Sequence, residues 1–167
     1  MFDSFSLLSL APLVREYFSV KNLLVWDKVN MGMGHYFRRR HEFILFATNG
    51  NNRKINSRSI PDILQVKRIH NAEYPTQKPV EVFDIMLKAS GKQGYTVCDP
   101  FLGSGSSAIA AIQNNCNFLG CDVSGKAFEI SKKRIEEFTE LKIDNLPKKV
   151  NQKIKFQILT PQMSIWK

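Results

Sequence analysis

The chain has little of what would place it in a membrane or outside a cell. No apolar run approaches the roughly 20 residues that a spanning helix needs. The opening stretch, Met1 to Val14, is apolar, but it has no basic head and carries acidic Asp3, so it makes a poor export signal. The three cysteines, Cys98, Cys116 and Cys121, are odd in number and form no CxxC pair. That argues against a disulfide framework and against a zinc site. They read as small buried apolar residues in a reducing compartment, and the cytoplasm is the expected location. No metal and no membrane contact are expected. There is no internal repeat, no low-complexity tract and no Pro-Pro dipeptide.

What is present suits a globular protein. The 167 residues are 43% hydrophobic and 23% charged, enough chain to bury a sizeable core. The net charge is +9, and it is unevenly spread. Met31 to His70 carries eight Lys/Arg against two acids, Glu42 and Asp62, which supplies +6 of the total. Positive charge gathered in one segment points to a polyanion, most simply nucleic acid.

Apolar spacing divides the chain. Phe2 to Phe18 approaches helical periodicity, with Pro12 expected to kink or restart the helix. Val20 to Trp26 and His41 to Thr48 read as strands, the second stopped by Asn49-Gly50. Between them lies a glycine-bearing loop, Met31 to His35. Asn49 to Tyr74 reads as a long basic connection holding a short strand near Ile63 to Val66. Connections of this length in a compact protein are usually functional or disordered. From Val80 the pattern becomes helix (Val80–Ala89), strand (Tyr95–Cys98), glycine turn, helix (Ser107–Gln113), strand (Phe118–Asp122) and helix (Lys126–Phe138). This is a βαβ arrangement on a parallel sheet. Lys153 to Leu159 alternates as a strand would.

The glycine turn carries the chemistry. Asp99 falls at the carboxyl end of the first strand, where open α/β sheets bind ligands. Gly103 and Gly105 permit a tight turn and close backbone approach. Asp122 ends the next strand, 19 residues after Gly103, a spacing at which a carboxylate can accept ribose hydroxyls. The pattern suits an adenosine-containing cofactor. Gly103-x-Gly105-x-x-Ala108 also fits the loose dinucleotide fingerprint, so a nicotinamide-dependent oxidoreductase stands as a remote alternative. Against it, Asp99 would repel a pyrophosphate and welcome an ammonium group, and Phe101 puts an aromatic ring in a wide turn. S-adenosylmethionine has an ammonium and a sulfonium and no phosphate.

Asp99-Pro-Phe-Leu-Gly-Ser-Gly105 resembles the cofactor motif of the DNA N4-cytosine/N6-adenine methyltransferases. Tyr74-Pro-Thr-Gln-Lys-Pro79, just upstream, resembles that family's other cofactor motif. Their order is that of the permuted, β-class members. Gly120-Cys-Asp122 and the helix through Ile130-Ser-Lys-Lys-Arg134 extend the match. Leu23-Leu-Val-Trp-Asp-Lys28, Gly34, Arg39 or Arg40 and Glu42 to Phe46 continue it more weakly upstream. Three positions depart from the pattern: Tyr74 stands for the usual His, Asp122 for Glu, and Ala127 for a Tyr.

The resemblance implies an α/β fold, a partial Rossmann-like S-adenosylmethionine-dependent methyltransferase fold. It implies cofactor contacts by Thr76, Gln77, Lys78, Pro79, Asp99, Pro100, Phe101, Gly103, Ser104, Gly105 and Asp122. It also implies DNA contacts from the basic segment, for which Arg38, Arg39, Arg40, Lys54, Arg58, Lys67 and Arg68 are candidates as a group. Residues 1–48 would be the end of the catalytic region, 49–73 a short target-recognition segment, 74–138 the cofactor-binding region and 139–167 a tail.

One element of the family pattern is missing. An Asp/Asn/Ser-Pro-Pro-aromatic motif, which holds the flipped base, precedes everything seen here in β-class order, and this sequence has no Pro-Pro. Asp99-Pro100-Phe101 belongs to the cofactor motif and Asn145-Leu-Pro147 to the tail. No catalytic residue is therefore assigned. Central strands of the sheet are expected to be absent with it, leaving an unpaired edge on Tyr95 to Cys98. The expectation is the carboxyl-terminal portion of a longer methyltransferase, complemented by another chain where the gene is split. The alternative is a non-catalytic DNA- or cofactor-binding remnant or subunit.

Overall fold

The computed structural model describes residues 1–50, 54–144 and 156–159. Asn145-Leu-Pro147 and the first residues of the strand expected from Lys153 lie outside them. Contacts divide the chain into two units, Met1–Arg68 and Ile69–Lys167.

The first unit is a helix, α1 (Ser4–Tyr17), and three strands, β1 (Ser19–Asp27), β2 (His41–Thr48) and β3 (Ile63–Gln65). The sheet order is β2-β1-β3, with β1 antiparallel to β2 and parallel to β3. Asp3 caps α1, its Oδ1 accepting the Ser6 N–H at 2.7 Å. Pro12 does not break the helix. Its missing N–H would have bonded the Leu8 carbonyl, and Leu8 and Pro12 are both exposed, so water can serve that carbonyl. No residue of α1 is buried, and the core of this unit instead gathers on the sheet around Trp26, Ile44, Leu64 and Val66. The Trp26 indole N–H donates to the Val66 carbonyl at 2.8 Å, which ties the end of the basic connection back onto β1. β3 is the short strand anticipated inside that connection.

At the carboxyl end of β1, Asp27 is buried and takes Arg40 in a two-point ion pair, at 2.7 Å from Nε and 2.5 Å from Nη2. The Arg40 bonds, with the Val29 N–H and Gln65 beside them, hold the Asp27 carboxyl down at about 2 against the resistance of burial. A carboxyl depressed from 3.8 to about 2 stabilises the folded unit above about pH 4. That contribution is lost as the pH falls from about 4 to about 2. Asp27→Asn is expected to melt at lower temperature near neutral pH and to lose most of this acid-side dependence. Thermal melts followed by tryptophan fluorescence across that window check it.

The second unit carries α2 (Val80–Ser90), β4 (Thr96–Asp99), α3 (Ser106–Gln113), β5 (Asn117–Cys121), α4 (Gly125–Asp144) and β6 (Phe156–Leu159). Its strands lie in the order β4-β5-β6, all parallel. The core is built on α3, whose residues from Ser106 to Ile112 are all buried. A helix buried on every side needs small residues where neighbours come close, and Ala108, Ala110 and Ala111 supply them. Its Ile109 and Ile112 pack with Leu102, Cys116, Phe118 and Ile135. Burial pushes the Cys116 thiol up from its ordinary pKa, in keeping with the expected packing role, whereas Cys98 is exposed and Cys121 half-buried, against that expectation. Among the described residues β4 pairs only with β5, and Thr96 and Cys98 are exposed along it. No described helix is long and apolar enough to cross a membrane. No group of three or more described His, Cys, Asp or Glu side chains is placed to hold a metal.

Candidate functional site

The carboxyl ends of β4 and β5 open onto a cleft of about 280 Å³ within the second unit. That is just below the ~300–1,000 Å³ typical of small-molecule sites. It is lined by the segment ahead of α2 (Tyr74, Thr76, Lys78) with Phe83 of α2, by the glycine turn, by the first residues of α3, and by Asp122.

The turn is held from below by the two carboxylates. Asp99 Oδ1 accepts the Phe101 N–H at 3.0 Å, and its Oδ2 accepts the Ser107 hydroxyl at 2.5 Å. Asp122 Oδ2 accepts the Gly103 N–H at 2.7 Å, and its Oδ1 accepts the Ser124 N–H at 2.9 Å. Each carboxylate thus fixes backbone on its own strand's loop or the neighbouring one. Having about four lone-pair sites, each also keeps acceptor capacity for a ligand. Gly105 adopts φ 80° as the N-cap of α3, and a Cβ there would stand 3.0 Å from the Ser131 Cβ. Glycine is required at this position both by the left-handed backbone and by the close approach of α4.

A second brace comes from α4. The Arg134 guanidinium donates to the Ser104 carbonyl and reaches the Ser106 hydroxyl at 3.4 Å. That hydroxyl in turn donates to the Lys78 carbonyl at 2.7 Å. One half-buried chain of hydrogen bonds therefore links α4, the glycine turn and the Tyr74–Pro79 segment. Desolvation lowers the Arg134 pKa, with Glu73 and Glu137 acting in the opposite sense; the group stays a cation.

Of the cofactor candidates named from sequence, Thr76, Lys78, Asp99, Phe101, Gly103, Ser104 and Asp122 line the cleft. Gln77, Pro79, Pro100 and Gly105 do not, Pro79 and Gly105 serving as helix N-caps. The sequence reading missed Phe83, Leu102, Ser106, Ser107 and Arg134. Phe83 lay hidden in a helical apolar stripe. The two serines could have been found from their place at the start of the helix after the turn. Chemically, the cleft offers carboxylate acceptors, backbone amides, and a Phe101 ring that is 84% exposed. It suits a ligand with a cationic head, vicinal hydroxyls and a flat heterocycle.

The DNA candidates all lie in the first unit. Lys54, Arg58, Lys67 and Arg68 are exposed. The three consecutive arginines each make a bond within the unit: Arg38 Nε to the Gly32 carbonyl at 2.8 Å, Arg39 to Asp3 at 2.9 Å, and Arg40 to Asp27. All three residues are nonetheless exposed.

A sequence model of the N6/N4 DNA methylase family matches residues 54–133. The type II methyltransferase M2.DpnII of Streptococcus pneumoniae is 28% identical over 149 residues, covering 77% of this chain and 55% of its own. The type II methyltransferase M.HhaII of Haemophilus parahaemolyticus is 32% identical over 108 residues, covering 63% and 47%. The solved complex of M1.HpyAVI with SAM superposes with a TM-score of 0.66 at 26% identity, covering 80% of this chain and 72% of that one. The chain spans about half the length of the curated relatives it matches.

Proposed function

From the premise that this chain belongs to the N6/N4 DNA methylase family, we propose that it supplies the methyl-donor half of a DNA amino-methyltransferase. The donor is S-adenosylmethionine, and the acceptor is the exocyclic amino group of adenine or cytosine in DNA. The observation that carries the reading is the paired carboxylates, Asp99 and Asp122, at the ends of adjacent parallel strands around one glycine turn. Asp122 accepts the ribose hydroxyls, Asp99 and the Thr76–Lys78 segment take the methionine end, and the exposed Phe101 ring stacks on the purine. When bound, the cofactor supplies an electrophilic methyl group on a sulfonium.

The base-presenting half lies outside these 167 residues. A flipped base needs an aromatic platform and a polar group on its amino nitrogen, and the Pro-Pro motif that provides them in the family is absent from the sequence. Among the described residues β4 pairs only with β5, and its other edge gives such a segment a place to dock. An additional strand there would pair the exposed backbone and cover Thr96 and Cys98. The segment could be continuous with this chain or belong to a second one. The first unit contributes the DNA contacts, with Lys54, Arg58, Lys67 and Arg68 holding phosphates. The setting this reading implies is the cytoplasm.

Titration calorimetry with S-adenosylhomocysteine and with NAD tests the cofactor reading. Saturable binding of the first and none of the second is expected, and the reverse would establish a dinucleotide site instead.

A further inference from the structure

Hydroxyls in the helices of this chain mostly turn back on their own helix. Ser9, Ser90 and Thr139 each donate to the carbonyl four residues earlier, and Ser131 to the one three earlier. That is the ordinary local bond of a helical serine or threonine. Ser107 does otherwise. As the second residue of α3 it has no helical turn behind it, and it is buried. Its hydroxyl crosses the glycine turn and donates to Asp99 Oδ2 at 2.5 Å.

That bond completes a two-point mount for the carboxylate. The Phe101 N–H already holds Oδ1 at 3.0 Å. A carboxylate held by one oxygen can pivot about that bond, and a second bond to the other oxygen sets its plane. The two donors also differ in footing. Phe101 belongs to the turn itself, whereas Ser107 belongs to α3, whose residues from Ser106 to Ile112 are all buried. Ser107 thus fastens Asp99 to the core of the unit. The bond lies at the short end of the range for a hydroxyl on a carboxylate. Asp99 is half-buried on the wall of the cleft, and its other acceptor sites stay available there.

We propose that Ser107 is a positioning residue that sets the cleft's preference for ligands bearing an ammonium group. It does so by fixing the plane in which Asp99 receives that group. Hydrogen bonds weaken steeply as they bend, so a carboxylate free to turn holds an ammonium less well than one fixed in place. The proposal rests on the cofactor reading above and deepens it: Asp99 takes the ammonium, and Ser107 acts through Asp99.

Calorimetry on the full 167-residue chain tests it with two ligands. 5′-Methylthioadenosine carries the adenosine and the thioether alone. 5′-(3-Aminopropylthio)-5′-deoxyadenosine adds an ammonium and no carboxylate. The wild-type chain should bind the second more tightly by about ten- to a hundredfold, the worth of a hydrogen bond to a charged group. Ser107→Ala should cut that preference by about fivefold or more and leave methylthioadenosine affinity unchanged. Asp99→Asn should erase the preference. Ile109→Val, which only trims the core, should lower the melting temperature without moving it. Ser107→Thr keeps the hydroxyl and should keep the preference. A Ser107→Ala chain with the wild-type preference overturns the proposal and leaves the cofactor reading standing. So does one that loses affinity for both ligands equally, which would make Ser107 merely structural, or a Ser107→Thr chain that melts like the wild type yet loses the preference. Equal wild-type binding of the two ligands overturns the Asp99 assignment and the proposal with it. Failure to bind either of them or S-adenosylhomocysteine overturns the cofactor reading itself.

Discussion

Asp122→Asn is expected to weaken S-adenosylhomocysteine binding by at least about a hundredfold. The Asp122 carboxylate accepts the Gly103 N–H through one oxygen and the Ser124 N–H through the other. An asparagine has one acceptor oxygen and one donor nitrogen. Whichever way its amide turns, a donor faces a backbone N–H, so the glycine turn or the loop after β5 must shift. The charged acceptor proposed for the ribose hydroxyls is lost as well. Hydrogen bonds to a charged group are each worth about 1.5–3 kcal/mol, and each 1.4 kcal/mol is tenfold in affinity. Losing one such bond to the turn and one to the ligand accounts for the expected effect. Asp122→Glu distinguishes the two roles. It restores the family's carboxylate with one more methylene, so it should recover ribose contact better than it recovers the turn. An affinity between wild type and Asp122→Asn is expected by calorimetry.

Arg134→Met should weaken cofactor binding by about tenfold or more and also lower thermal stability. The methionine keeps the apolar stem of the side chain but removes the donors that hold the Ser104 carbonyl and reach Ser106. The Ser104 residue is buried, and a buried carbonyl left without a partner costs about 1–3 kcal/mol. Arg134 touches no reacting atom and is a positioning residue, so a merely structural role must be separated from a positioning one. Ile109→Val provides the comparison, since trimming one methyl from the core typically costs about 0.5–1.5 kcal/mol and leaves the turn intact. That variant should melt earlier with cofactor affinity unchanged. Arg134→Lys should recover only part of the affinity, because both contacts are made by the Arg134 Nη1, which lies one bond further along the side chain than a lysine ammonium.

The second unit was more legible than the site it supports. α2, β4, α3 and β5 begin and end within about a residue of where the apolar spacing puts them, because turns and caps punctuate each one. α4 runs on to Asp144 instead of ending at Phe138. Glu, Leu and Lys past that point are good helix formers without an apolar stripe, so periodicity under-reports them. Pro12 was expected to interrupt α1, and the exposed Leu8 turn absorbs it. Around the cleft, the sequence marked the groups whose chemistry is local to a motif, such as Asp99, the glycines and Asp122. It could not mark Arg134, which acts on a carbonyl 30 residues away. Nor did it show that Arg40, counted among the DNA candidates for its charge, is engaged by Asp27. Pairings of that kind are set by how strands and helices meet, and no periodicity encodes them.

Methyl transfer tests the central claim, that the donor's half of the site is in this chain and the base-presenting half is not. Unmethylated DNA and methyl-labelled S-adenosylmethionine are incubated with the 167-residue chain, alone and joined to a segment bearing an Asp-Pro-Pro-aromatic motif. The account predicts no label in DNA from the chain alone, although it binds the cofactor, and labelled amino-methyl bases once the segment is supplied. Labelled DNA from the chain alone would contradict it.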